Sequence, residues 1–144
     1  MHGGFPLPDV DWAPTREYFA GATRGELRVT RCDACTRYVW YPGTPCRACG
    51  SSSATWTTVS GRGTLFSWST VHFPWIPQFK SLVPFATALV ALAEDPGVRL
   101  VTRIVDCAPA DLRCDLPVSA VFRPLRFDGV DGEVVVPMFQ PANS

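Results

Sequence analysis

Four cysteines form the most chemically informative pattern in the chain. They make two C-x-x-C pairs separated by ten residues: Cys32, Cys35, Cys46 and Cys49. Four thiolates are a preferred ligand set for structural Zn²⁺, with zinc–sulfur distances of about 2.3 Å. The ten intervening residues are long enough for a hairpin that returns the second pair to the first. The spacing therefore predicts a zinc ribbon or rubredoxin-like knuckle that binds one structural zinc ion.

Other uses of four cysteines fit the sequence less well. Two disulfides would need an oxidising compartment, and the first twenty residues contain prolines and charges instead of the apolar core of a signal peptide. A rubredoxin iron site would allow electron transfer, but rubredoxins separate their pairs by a much longer stretch. A catalytic zinc needs an open coordination position, and four protein ligands leave none. Arg31, Arg37 and Arg47 adjoin the ligands, where they either offset the negative charge of the site or form solvated surface.

The overall composition restricts the class of partner. The 144 residues are 47% hydrophobic and carry 13 basic and 13 acidic side chains, so no strong field attracts nucleic acid or an anionic membrane. No apolar run approaches the ~20 residues of a membrane span. Cys107 and Cys114 lie outside the quartet and are interpreted as small buried hydrophobic residues. These features predict one domain with a small metal module, located in the cytoplasm.

The chain divides into three predicted segments, the first two of which surround the cysteines. Residues 1–25 are interpreted as an arm followed by a helix, with Met1–Gly4 as the scar of a longer parent chain. The helix is expected to start at Asp11 or Ala13 and to turn Trp12, Tyr18 and Phe19 towards the body. Residues 26–54 are the zinc ribbon, with strands at 26–31 and 38–41.

Residues 55–144 have the pattern of a β-barrel. β-Branched and aromatic residues predict a strand at 55–60. Further strands are predicted at 64–73, 84–94, 98–106, 117–127 and 133–139, with the turn D-P-G at 95–97 joining the second and third of these. A glycine-containing break is expected at 61–63 and one helical turn at 108–112. On the strand at 64–73, alternation places four residues on one face: Phe66, Trp68, Thr70 and His72. The predicted fold is mostly β, with a short N-terminal helix, a zinc ribbon and a five-stranded OB-fold barrel; an SH3-like barrel is the alternative.

The order of these pieces resembles an acyl-CoA-associated family that joins a rubredoxin-like zinc ribbon to an OB-fold. The resemblance covers residues 12–141 and rests on the C-x-x-C pairs and three short motifs: S-G-R-G-T at 60–64, V-R-L at 98–100 and V-P-M-F at 136–139. One departure is Thr36, where the family often has glycine after the second cysteine; Gly50 keeps that role after the fourth. Because glycine relieves backbone strain, we expect Thr36 to affect the turn geometry but not the metal.

The resemblance implies a partner enzyme. Members of this family are accessory subunits or fused domains beside thiolase-like enzymes, and this chain resembles the domain attached to a MaoC-like hydratase of steroid side-chain catabolism. A non-catalytic accessory domain is therefore expected, one that binds and completes a thiolase-like (lipid-transfer-protein-like) retro-aldolase in a hetero-oligomer that acts on an acyl-CoA. The residues agree in one respect, because the sequence has two histidines, His2 and His72, and no nucleophile elbow or H-E-x-x-H motif. An autonomous hydratase or thiolase is the weaker alternative.

The segment at 72–84 is the candidate contact surface for such a partner. Its apolar residues include Phe73, Trp75, Ile76 and Phe79. Its prolines stiffen it, and so much apolar area is costly unless it is covered. The segment therefore either folds back over the barrel or packs against an enzyme subunit and lines an acyl channel. Lys80 would pair with a CoA phosphate or a partner carboxylate, and His72 is either a packed or surface histidine or an acyl-CoA contact.

A nucleic-acid-binding protein is the main alternative from another functional class. OB-folds bind single strands through basic grooves and stacking aromatic residues. From residue 57 onward, however, the chain has seven basic and eight acidic side chains. This slightly acidic balance argues against a groove that follows phosphates, so we expect no nucleic-acid partner.

Overall fold

The structure, a computed structural model, describes residues 4–143 of the chain. Within that range there are one helix and eight strands: α1 (Arg16–Thr23), β1 (Leu27–Cys32), β2 (Tyr38–Val39), β3 (Ala54–Val59), β4 (Arg62–Val71), β5 (Phe85–Leu92), β6 (Arg99–Ile104), β7 (Pro117–Leu125) and β8 (Val134–Pro141). Short 3₁₀ turns occupy Pro77–Phe79 and Pro109–Asp111. The predicted class, mostly β with a short N-terminal helix, a zinc ribbon and a five-stranded barrel, is confirmed. His2 and most of the predicted Met1–Gly4 scar lie outside the described residues.

A three-stranded antiparallel sheet carries the cysteines, in the order β2–β1–β3. Strand β3 pairs with β1 along its whole length, from Leu27 opposite Val59 to Cys32 opposite Ala54. The strand predicted at 55–60 therefore belongs to the ribbon sheet. The division of the chain at 54/55 stays a prediction.

The remaining strands close into a barrel in the order β4–β5–β6–β8–β7. Strand β7 closes the barrel by pairing with the start of β4, at 117–119 against 62–64, and β6 meets β8 in a parallel pair at Ile104 and Phe139. Five strands in a closed Greek-key order are the OB-fold. The centre of the barrel is apolar. Its largest fully buried side chains are Phe139, Leu65, Leu92, Leu100, Val90 and Val118.

Strand β4 corrects two details of the sequence analysis. The predicted break at 61–63 is shorter, because Gly63 lies inside the strand, where a Cβ would come within 2.4 Å of the Ala91 carbonyl oxygen. A β-bulge between Leu65 and Ser67 then adds one residue to the strand. Phe66 is consequently exposed and does not share a face with Trp68, which packs against the barrel core. The expected single face of Phe66, Trp68, Thr70 and His72 is therefore wrong at Phe66.

The N-terminal helix is shorter than predicted. It begins at Arg16, with Thr15 and not Asp11 or Ala13 in the N-cap position. Trp12 lies outside the helix and is 54% exposed, so its predicted place against the body is wrong. Tyr18 does pack against the core, with its ring 5.3 Å from that of Trp40 in the ribbon. The helix thus links the ribbon to the barrel.

Candidate metal centre and docking surface

The four sulfur atoms converge as the sequence predicts. All lie within 4.8 Å of one another, with Cys32 Sγ 3.5 Å from Cys49 Sγ and Cys35 Sγ 3.6 Å from Cys46 Sγ. These distances are too long for disulfide bonds of about 2.05 Å. They approach the sulfur–sulfur separation of about 3.8 Å that a tetrahedral zinc with 2.3 Å bonds requires. The donor set and its geometry therefore fit one zinc ion in a structural site.

Two matching backbone turns hold the sulfur atoms. The amide of Thr36 donates to the carbonyl oxygen of Cys32 at 3.0 Å, and the amide of Gly50 donates to that of Cys46 at 2.7 Å. Both turns end in a residue with left-handed backbone geometry, with φ of 67° at Thr36 and 78° at Gly50. Thr36 thus adopts the conformation of the glycine that it replaces. A β-branched residue has a steric cost in the left-handed region of φ and ψ. The threonine therefore strains the backbone of this turn but leaves the ligand positions intact.

Backbone amides lower the pKa of two of the four thiols, which favours cation binding. The backbone amide of Cys35 donates to the Cys32 sulfur and, against the effect of burial, lowers the pKa of Cys32 to about 6. The amide of Cys49 likewise lowers the pKa of Cys46. For Cys49, the Ser51 amide favours the thiolate, but contact with Cys32 and burial prevail and raise its pKa to about 12. The four adjacent thiols therefore do not all lose their protons without a cation, and a bound divalent cation supplies the positive charge that stabilises all four thiolates.

The arginines beside the ligands have separate roles. The Arg31 Nε donates to the carbonyl oxygen of Thr36 at 2.7 Å, and its guanidinium lies 5.3 Å from the centre of the Tyr38 ring. Arg31 thus braces the strained turn. Arg37 and Arg47 line a cleft of about 380 Å³ that also contains Asp95 from the turn between β5 and β6. Both are exposed.

The two remaining cysteines are less buried than predicted. Cys107 is half-buried and Cys114 is exposed, so the interpretation of both as buried hydrophobic residues is wrong for Cys114. Cys114 lies on the loop before β7, just after the 3₁₀ turn. The nearby core position is filled by Leu116 instead. Burial raises the pKa of Cys107, with a smaller contribution from Asp111.

The segment at 72–84 has two halves with different surroundings. Residues 72–76, which we call the aromatic tip, project from the barrel: Trp75 is 78% exposed and Phe73 is 62% exposed. Their rings meet edge to face, with centroids 5.0 Å apart. Ile76 is also exposed. So large an uncovered apolar surface makes the aromatic tip a candidate contact site.

Residues 77–82, the anchor half, are fixed to the rest of the chain. The Phe79 ring lies 6.3 Å from Phe5, 5.7 Å from Phe127 and 5.9 Å from Phe85. The Asp128 carboxylate accepts hydrogen bonds from the Ser81 hydroxyl at 2.6 Å and the Ser81 amide at 2.9 Å. These bonds hold the pKa of Asp128 below its usual value, with a smaller contribution from Lys80. The anchor half therefore presents the tip in a fixed place.

The two polar candidates lie in different halves of the segment. His72 follows the last residue of β4 and Lys80 follows the 3₁₀ turn, and both side chains are exposed. Sequence reasoning missed the residues that anchor the segment, namely Phe5, Phe127 and Asp128. No local pattern could reveal them, because Asp128 and Ser81 are 47 residues apart in the chain. Among residues 4–143, no helix has the length and apolar character needed to cross a membrane.

A four-thiolate ribbon sheet followed by a closed five-stranded barrel defines a zinc-ribbon/OB-fold protein. Comparison with known families is more specific. A family model described as the ChsH2 rubredoxin-like zinc ribbon domain matches residues 19–54, and one described as the ChsH2 C-terminal OB-fold domain matches residues 56–123. The chain therefore belongs to the ChsH2 family.

Curated relatives share the chain only over part of their length. The chain is 36% identical over 127 residues to a probable enoyl-CoA hydratase alpha subunit of Thermomonospora curvata, covering 87% of this chain and 36% of the relative. It is 37% identical over 76 residues to a DUF35 domain-containing scaffold protein of Methanocaldococcus jannaschii, covering 53% and 52%. It is 41% identical over 63 residues to the 3-oxo-4,17-pregnadiene-20-carboxyl-CoA hydratase alpha subunit of Mycobacterium tuberculosis, covering 44% and 19%. The chain thus spans about half or less of these relatives.

A solved structure matches nearly the whole length of the chain. It is titled Ltp2-ChsH2(DUF35) aldolase, and the similarity covers 96% of this chain and 100% of that one, with a TM-score of 0.76 and 30% sequence identity. The link predicted from the sequence, to a family with a zinc ribbon and an OB-fold that accompanies an aldolase and a steroid-catabolism hydratase, is confirmed.

Proposed function

We propose that this chain is a non-catalytic accessory subunit or domain that binds and completes a thiolase-like acyl-CoA enzyme, a retro-aldolase of steroid side-chain degradation. The observation that carries the proposal is the match, over 96% of this chain, to a chain of the solved structure titled Ltp2-ChsH2(DUF35) aldolase. The named steroid-CoA hydratase subunit of Mycobacterium tuberculosis supports the substrate class. A cytoplasmic location belongs to the same proposal.

An accessory role also agrees with the distribution of chemistry in the chain. The Methanocaldococcus jannaschii relative is described as a scaffold protein, and the zinc ligands here are structural in number and kind. We expect the isolated chain to turn over no enoyl-, acetoacetyl- or hydroxyacyl-CoA ester in steady-state assays. Turnover that disappears in His72→Ala would contradict this expectation and would make His72 a catalytic residue.

The aromatic tip is the proposed docking element. Phe73, Trp75 and Ile76 provide the exposed apolar area, and the anchor half fixes their position through Phe79 before any partner arrives. A preformed loop loses less conformational entropy on binding. Aromatic residues at the centre of an interface commonly contribute ~2 kcal/mol or more each. We propose that these four residues become fully buried against the partner or over its acyl channel.

His72, the first residue of the tip, and Lys80, in the anchor half, would complete the contact. The ammonium of Lys80 is exposed and suits a partner carboxylate or a CoA phosphate. The imidazole of His72 suits an acyl-CoA or partner hydrogen bond. Both assignments depend on the tip lying at the interface, so they are tested with it.

The deciding experiment uses the thiolase-like protein encoded in the same genomic neighbourhood. The full-length chain and this protein are co-purified, and their dissociation constant and aldolase activity are measured. Trp75→Ala should weaken the complex at least tenfold with zinc content and melting temperature unchanged. The matched control is Trp56→Ala, since Trp56 is a half-buried residue of β3 in the ribbon sheet, and its truncation should lower the melting temperature.

Two results would contradict the proposal. One is the absence of any complex between the wild-type chain and the thiolase-like protein, particularly if the chain binds single-stranded DNA or RNA instead. The other is a Trp75→Ala variant that binds the partner as tightly as the wild type does. The first outcome rejects the accessory function, and the second rejects only the aromatic tip as its docking element.

A further inference from the structure

A separate cavity lies on the outer face of the barrel. It has a volume of about 290 Å³ and is bounded by Tyr18 of α1 and by residues of β5 to β8. Most of its wall is apolar: Phe85, Val101, Leu125, Val136, Pro137 and Met138. Its other lining residues are Tyr18, Thr87, Thr102 and Arg103, and none of the lining residues is acidic. The cavity therefore combines apolar walls with one cationic group.

Arg103 is that cationic group, and it lacks a counter-ion. Its side chain is half-buried, and burial lowers the pKa of its guanidinium. Its guanidinium carbon lies 5.3 Å from the centre of the Phe85 ring, an arrangement that limits its movement. Among residues 4–143, Arg103 forms no ion pair with a carboxylate.

Other arginines on this chain show that counter-ions are available elsewhere. Arg123 pairs with Asp106, and Arg126 pairs with Glu133. Both of those pairs are on the exposed surface, where the ion pair contributes little. Arg103 is less exposed to solvent than Arg123 or Arg126, and it has no carboxylate partner. A partly buried charge needs a counter-ion more than an exposed one does.

Hydroxyl groups of threonine and tyrosine also line the cavity and can donate hydrogen bonds. The Thr102 hydroxyl already donates to the carbonyl oxygen of Pro137 at 3.2 Å. Burial, and to a smaller extent Tyr41, raises the pKa of Tyr18, so its hydroxyl stays protonated at neutral pH. The polar groups available in the cavity are thus the Arg103 guanidinium and the neutral hydroxyls of Tyr18 and Thr87, which together suit an anionic acceptor.

We propose that this cavity binds the carboxylate of a small amphipathic acid, with Arg103 as the bidentate donor and the apolar wall around the tail. A guanidinium matches the two oxygens of a carboxylate in plane and spacing. The volume is at the lower end of the range of ligand cavities, about 300–1,000 Å³, so a medium-length acid fits better than a long-chain one. The proposal does not depend on the thiolase-like partner.

The test titrates the zinc-loaded full chain with octanoate by isothermal calorimetry and amide NMR. Saturable binding is expected, with shifts at Val101, Thr102 and Met138. Octan-1-ol has the same tail without the charge, and octylamine has the opposite charge; each should bind at least tenfold more weakly. Arg103→Gln should weaken octanoate binding at least tenfold, whereas Arg113→Gln, at an exposed arginine on another face, should leave it unchanged.

Two conservative variants keep the test decisive if Arg103→Gln fails to fold. Arg103→Lys keeps the charge but removes the fork, so octanoate should bind more weakly than to the wild type. Tyr18→Phe keeps the ring and removes only the hydroxyl, and a severalfold loss is expected. Equal affinity for octanoate and octan-1-ol, no saturable binding of octanoate, or shifts confined to the aromatic tip would each overturn the proposal.

Discussion

The metal centre and the aromatic tip have opposite surroundings within one chain. Cys32 and Cys46 are 2% and 4% exposed, and their turns are closed by hydrogen bonds within a few residues. Phe73 and Trp75 are the opposite: large, apolar and uncovered. The metal centre needs one ion to be complete, whereas we propose that the tip needs the surface of a partner. Stability should therefore depend on the first region and association on the second.

Removing a zinc ligand should have the largest effect. Cys46→Ser deletes a buried sulfur, and the apparent binding free energy of a structural zinc, about 10–16 kcal/mol in isolated zinc fingers, contributes to folding. We expect loss of zinc, unfolding of the ribbon sheet and a large drop in melting temperature, measured by elemental analysis and circular dichroism. Cys114→Ser is the matched control, because Cys114 is exposed and outside the quartet. A Cys46→Ser protein with one tightly bound zinc would refute this assignment.

The two halves of the 72–84 segment should separate stability from association. Phe79→Ala removes a ring that contacts three other aromatic rings, at a cost of about 1–3 kcal/mol for a partly buried phenylalanine. Its melting temperature should fall by several degrees, while Trp75→Ala should melt like the wild type. Thermal unfolding of both isolated variants measures this. If Trp75→Ala is the less stable variant, the tip is packed in solution and the comparison fails.

The two knuckles can be made alike by exchanging residues. Thr36→Gly relieves the left-handed strain of a β-branched residue, offset by the greater freedom of glycine in the unfolded chain, for a net gain of about 0.5–1 kcal/mol. Gly50→Thr imposes the same strain and should cost about 1 kcal/mol or more. Thermal unfolding of the zinc-loaded proteins checks both signs. A loss of stability in Thr36→Gly would mean that the threonine side chain supports the turn.

The smallest effect is expected from the Asp128 anchor. The pKa of Asp128 is lower in the folded chain than in the unfolded chain, where it is about 3.9. The ionised carboxylate therefore stabilises the fold above about pH 3.9, and this contribution to the free energy of unfolding is lost as the pH falls through the folded-state pKa. Asp128→Asn should therefore raise hydrogen exchange of the Ser81 amide at neutral pH. Asp131→Asn, an exposed neighbour, should not. Equal protection of the Ser81 amide in both variants would show that Phe79 alone holds the segment.

The regions also differ in how much the sequence could predict. The quartet is local and chemically restrictive, so the spacing of Cys32 to Cys49 was sufficient to predict the site. The barrel strands are predictable because runs such as 84–94 and 98–106 are bounded by turn signals such as Asp95-Pro96-Gly97. The bulge at Phe66, the helix start at Arg16 and the exposure of Cys114 were not found. The bulge at Phe66 adds one residue to a strand, and the exposure of Cys114 depends on the packing of Leu116, so neither changes the local pattern of residue types.

The uneven burial of the four sulfur atoms has a kinetic consequence. Cys32 and Cys46 lie at the back of the site, Cys35 is intermediate and Cys49 is exposed. An incoming thiol, chelator or organomercurial therefore reaches the bound zinc most easily from the side of Cys49, the most exposed of the four ligands. Metal exchange should begin by substitution of this one sulfur, so the rate at which the chain gains or loses zinc is set at the surface of the ribbon, while its affinity is set in the interior.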